Sequence, residues 1–180
     1  MEQDPVTLII ATFGGLYLFI VLLRFLLQLA RADYYNPISQ AVVKLTNKPL
    51  APLQKALPRA GRFDLSALLL ALVVKAATVG LIIVVNGGDV PIVELLLRSA
   101  ITVLDTILMI YFWGVLASVI ISWVAPGSYH PGPQLIQQLT EPLMELFRKV
   151  IPPIGGLDLS PILIFLVIQI VRGQLAPFLV

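Results

Sequence analysis

Cysteine is absent and histidine occurs once, at His130. Disulfides, CxxC redox motifs, iron–sulfur clusters and Cys/His zinc sites are therefore excluded as features of this chain alone. Charge is scarce as well: Asp, Glu, Lys and Arg make up 12% of 180 residues, against about 25% in soluble domains. Phosphate-cradling motifs are missing, since Gly87-Gly88 and Gly155-Gly156 fit neither G-x-x-x-x-G-K-[ST] nor G-x-G-x-x-G. The opening MEQDPVTLII has two acids and no base, so it lacks the basic segment of a secretory signal and is expected in the mature protein. No nucleic-acid motif accompanies the basic residues.

What the chain does have is apolar length. Hydrophobic residues reach 58% and mean hydropathy is +0.96, which places it among membrane proteins. Four segments, 6–30, 65–86, 99–124 and 160–180, have the roughly 20 apolar residues that cross a hydrocarbon core of about 30 Å. Lys and Arg concentrate in two connectors: Arg31, Lys44, Lys48, Lys55, Arg59 and Arg62 in the first, Arg148 and Lys149 in the second. Basic loops stay cytoplasmic, which predicts a multi-pass inner-membrane protein with both termini outside the cytoplasm. Tyr34, Tyr35, Trp123 and Tyr129 fall where interfacial aromatics belong.

The chain is duplicated. YYNPISQAVVKLT (34–46) corresponds to SYHPGPQLIQQLT (128–140) at an offset of 94, pairing Tyr35 with Tyr129, Pro37 with Pro131 and Thr46 with Thr140. The same offset pairs Asp64 with Asp158 and Ser66 with Ser160; a one-residue slip after Thr46 would pair Pro49 with Pro142. The expected organisation is a first unit at 1–86, an outward-facing connector at 87–98 and a second unit at 99–180. Both units then have the same orientation. In each connector the apolar spacing predicts short amphipathic helices separated by proline breaks: Ile38, Ala41, Val42 and Leu45 line one face of the first, Leu135, Ile136 and Leu139 one face of the second. They either lie among headgroups or pack on one another over the bundle end.

NPISQAVVKLTNKPLAPLQKALP with RFDLS, and LTEPLMELFRKVIPP with GGLDLSP, resemble the YggT family of small bacterial and plastid membrane proteins built from one or two copies of such a unit. The resemblance implies an all-α integral membrane fold of four transmembrane helices in two tandem repeats. It also implies roles in osmotic-shock tolerance and ion uptake, in division and envelope organisation, or in plastid cytochrome assembly.

A charge in mid-membrane is costly, so Lys75, Asp105 and Arg172 form a candidate polar cluster. Asp105 and Arg172 sit at matching depth, about 10 to 12 Å from the outer surface at about 1.5 Å per residue. They either hold the bundle together or line an ion path. Arg24 is expected to snorkel to the inner interface. Ala11 with Gly15, and Gly114 with Ser118, have spacing suited to close helix packing. Asp64, Ser66, Asp158, Ser160 and Pro161 are expected as helix starts, with Ser160 as N-cap and Pro161 at the first helical position. The basic residues Lys44, Lys48, Lys55, Arg59, Arg62, Arg148 and Lys149 are expected to meet anionic lipid headgroups. Glu141 and Glu145 beside Arg148 and Lys149 suggest a salt-bridged helix face, not a catalytic pair. No enzyme activity and no cofactor are expected. The functional expectation is osmotic or ion homeostasis, or alternatively a scaffold for other membrane complexes, with a membrane-protein partner or a second copy.

Overall fold

The computed structural model of the chain describes residues 4–57, 63–153 and 158–179. Within them the chain forms α1 (Pro5–Leu29), α2 (Pro37–Ala56), α3 (Leu65–Val85), α4 (Ile92–Val124), α5 (Pro131–Arg148) and α6 (Ser160–Leu175). A 3-10 turn, Ala176–Phe178, follows α6. Proline opens α1, α2 and α5, where the amide hydrogen it lacks would have had no helical partner. Asn36 caps α2, its Oδ1 accepting from the Ile38 amide at 2.9 Å.

Helices α1, α3, α4, and α6 with its 3-10 turn, are long and apolar enough to cross a membrane. The third span begins earlier than expected, at Ile92. Glu94 and Arg98, assigned by sequence to the connector 87–98, lie in its first turns and pair across i,i+4 at 2.8 Å. Their charge hides a helix that such a pair supports. The link between the two copies shrinks to 86–91, where Gly87 takes the left-handed conformation with φ 67°.

The proline breaks expected in the connectors do not occur. Helix α2 runs through Pro49 and Pro52, and α5 through Pro142. Each proline removes one helical hydrogen bond, but Leu50 and Met144 are buried beside them and packing carries the helix past the defect. Leu50 and Met144, which the offset of 94 pairs without a slip, are both buried. Other equivalents are also buried together: Val21 with Val115, Thr46 with Thr140, Ser66 with Ser160, and Leu70 with Ile164.

Of the apolar face read from the sequence on α2, Val42 alone packs inward. Ser39, Val42, Thr46 and Leu50 are buried, whereas Ile38, Ala41 and Leu45 face outward. Two apolar cores result. The larger joins Leu22 and Leu26 of α1 with Leu50, Ala67, Ala71 and Val103; the smaller joins Val115, Met144, Ile164 and Ile168. Helix α4 packs on α1, α3, α5 and α6 and is the wall common to both copies.

The close approach of α1 and α3 depends on Gly14, not on Gly15. A Cβ on Gly14 would lie 2.3 Å from Thr78 Oγ1, whereas one on Gly15 would meet nothing within 4 Å. At Gly114 a Cβ would meet Thr140 Cγ2 at 3.2 Å, so this glycine admits α5 and not another span.

Candidate functional site

Helices α2 and α5 gather at one end of the bundle, and polar side chains fix them there at equivalent positions in the two copies. In the first copy Asp64 caps α3: Oδ1 accepts from the Ala67 amide at 3.2 Å and Oδ2 from Gln54 Nε2 at 2.8 Å. In the second, Asp158 Oδ1 accepts from the Ser160 amide at 2.9 Å and Oδ2 from Arg148 Nε at 2.8 Å. Each aspartate thus latches the start of a span to the end of the amphipathic helix before it. Gln54 and the tie of Arg148 to Asp158 were missed from sequence, although the 94-residue offset pairs Gln54 with Arg148 and each stands ten residues before its aspartate.

The capping roles are redistributed accordingly. Ser160 already lies in the first turn of α6 with Pro161 after it, and its buried Oγ has no hydrogen-bond partner among the described residues. Asp158 reaches the Ser160 amide two residues on, a local bond that aspartate readily makes, and leaves the hydroxyl no capping role. Ser66 Oγ donates to the Leu57 carbonyl at 3.4 Å. Burial raises the Asp158 pKa, but the hydrogen bonds from Arg148 and Ser160, with the Arg148 charge, outweigh it and hold the carboxyl below its usual range. The hydrogen bonds to Asp158 and then Glu141 push Arg148 upward. Arg148 also pairs with Glu141, so it is an internal tie and not the lipid-facing residue that its sequence position suggested.

Arg24 does not snorkel. It is buried near the end of α1, and its Nη1 donates to Thr46 Oγ1 at 2.8 Å and to the Val43 carbonyl at 3.2 Å on α2. Hydrogen bonds from a charged donor are the stronger kind and offset part of the cost of burying the guanidinium. The copies also hold each other: Asn36 Nδ2 donates to the Pro131 carbonyl at 2.8 Å, and the Asp33 amide to Gln138 Oε1 at 2.8 Å. Lys44, Lys48, Lys55 and Lys149 remain exposed around this end. Arg59, Arg62, Gly155 and Gly156 lie outside the described residues.

Within the spans, Arg172 Nε lies 2.6 Å and Nη2 3.5 Å from the Asp105 carboxylate. Arg172 follows Ile164 and Ile168 at i, i+4, i+8, the face of α6 that α4 receives. Lys75 is not part of this pair: among the described residues no ion pair reaches it. It stands on α3, while α6 packs on α4 and α5. Depth could be counted along the sequence, but the partner of each face could not.

The model of the CCB3/YggT family matches residues 3–85 and again 97–179. An uncharacterised Pseudomonas aeruginosa protein is 48% identical over 91% of this chain and 84% of its own length. The uncharacterised YggT of Escherichia coli K12 is 32% identical over 98% of this chain and 92% of its own. A segment covering 19% of this chain is 56% identical to part of the chloroplastic YlmG homolog protein 2 of Arabidopsis thaliana, spanning 14% of that protein. No solved structure matches.

Proposed function

This chain belongs to the CCB3/YggT family, and on that premise we propose that it is a non-catalytic membrane scaffold, positioning another membrane protein through the end of the bundle where α2 and α5 meet. The observation that carries this is the double latch: two amphipathic helices, each tied to its own span through an aspartate and to each other through Asn36 and Gln138. Helices held so firmly present Gln40, Lys44 and Lys48 outward in a fixed array, as a preorganised docking surface requires. The distribution of Lys and Arg supports placing this end in the cytoplasm and the termini outside. A second reading, ion homeostasis or osmotic tolerance through transport, is favoured by Lys75, a cation in a span without an ion-pair partner among the described residues.

Photo-crosslinkers placed at Gln40 and Lys44 in intact cells test the scaffold. A discrete adduct with one membrane protein is expected, and adducts with lipid alone would overturn it. Purified protein in liposomes is expected to carry no ion flux. A flux changed by Lys75→Met would install the transport reading instead.

A further inference from the structure

Beside Arg24, where α1 ends and α2 packs against it, a cavity of about 460 Å³ opens, lined by Arg24, Arg31, Gln28, Ser39, Asn47 and Gln54 among others. We propose that this cavity binds the phosphate of an anionic phospholipid headgroup. Two guanidinium-bearing residues and three carboxamides surround it, and no acid among the described residues lines it. The nearby carboxylates are engaged: Asp33 accepts from the Tyr35 amide, and Asp64 from Gln54 and Ala67. Ser39 is buried, 5% exposed, and its Oγ has no hydrogen-bond partner among the described residues. A buried hydroxyl left without a partner is costly, and a phosphate oxygen in the cavity satisfies it. Planar guanidinium donors match phosphate geometry.

The backbone gives an independent reason. The Arg31 amide donates to the Gln28 carbonyl and the Ala32 amide to the Leu27 carbonyl, the pair of hydrogen bonds that ends a helix with one left-handed residue, usually glycine. Here that residue is Arg31, at φ 55°. A cation at a helix C-terminus is favoured anywhere in the last turn, so the helix dipole alone gives no reason to put arginine at the one position where glycine fits better. A side chain needed on the cavity wall does, because strained backbone gathers at ligand sites.

The lipid source rests on a neighbouring groove. A second cavity, about 400 Å³ and almost wholly apolar, runs along Phe19, Leu23, Trp113 and Leu139, and Leu27 is a wall of both cavities. A headgroup in the first leaves an acyl chain beside the second.

The test uses purified full-length protein in detergent, titrated with phosphatidylglycerol, phosphatidylcholine or inorganic phosphate, and read by native mass spectrometry and thermal midpoint. Phosphatidylglycerol is expected to bind once per chain, ahead of phosphatidylcholine, and to raise the midpoint. Arg31→Gly is expected to leave the lipid-free midpoint unchanged or raised, since glycine suits that backbone, while weakening lipid binding by about tenfold. Ser39→Ala is expected to weaken binding as well, whereas Lys44→Gln with Lys48→Gln leaves it unchanged. Binding insensitive to Arg31→Gly and Ser39→Ala, or inorganic phosphate binding as tightly as the lipid, would overturn the proposal.

Discussion

Asp158 and Asp64 hold equivalent places, yet among the described residues Asp158 meets a cation, Arg148, where Asp64 meets the neutral Gln54. Because the folded-state pKa of Asp158 is lowered, its contribution is complete above the unfolded value of about 4 and is lost as pH falls through the lower folded value. The pair is about a third exposed, so its worth is that of a surface ion pair, about 0.5–1 kcal/mol. Asp158→Asn is expected to lower stability by that amount at neutral pH and to flatten the acid limb of a thermal-midpoint profile. Asp64→Ala removes a fully buried cap and strands Gln54, which is expected to cost more, about 1–3 kcal/mol. The Asp-x-Ser motif was visible in sequence as a helix start. Its second task was not, because the partner ten residues upstream is a glutamine in one copy and an arginine in the other.

Among the elements, α1 and α3 make the closest pair, and the contact turns on one hydrogen-sized side chain. Gly14→Ala is expected to destabilise the protein by about 1–3 kcal/mol through overpacking against Thr78, and Thr78→Gly to recover part of the loss. Gly15→Ala, one residue along, is expected to be neutral or to stabilise by about 0.5–1 kcal/mol, since alanine favours the helix. Denaturant unfolding in detergent micelles separates these outcomes. The spans themselves were legible because apolar length is a property of sequence alone. Which small residue touches a neighbour was not, since Ala11 with Gly15 has the right spacing on a side of α1 that faces outward. The same limit explains α2: Ser39 and Thr46 are polar by type but inward by position, because Arg24 gives Thr46 a partner.

Across the whole molecule, Asp105 and Arg172 join α4 to α6, a helix whose other main contact is α5. Removing one partner leaves an uncompensated charge at membrane depth. Asp105→Asn is therefore expected to cost about 3–5 kcal/mol, whereas Asp105→Leu with Arg172→Leu is expected to be near neutral. Unfolding midpoints of the single and double variants in the same lipid check this. The duplication was legible because both copies kept their punctuation, Pro37 with Pro131 and Asp64 with Asp158. The assembly of the copies was not, since the contacts between them, Asn36 with Pro131 and Asp33 with Gln138, join residues that are not each other's counterparts, and the offset sets His130 opposite Asn36, Gly127 opposite Asp33 and Lys44 opposite Gln138.

Helix α4 has 33 residues without a proline, so it is about 50 Å long where the hydrocarbon core is about 30 Å. It is longer than that core is thick, with the Glu94–Arg98 pair in its first turns and helices of both copies packed along its length. A load applied along that helix is borne by both copies at once, and the ties of Asn36 to Pro131 and Asp33 to Gln138 keep the two halves from parting around it.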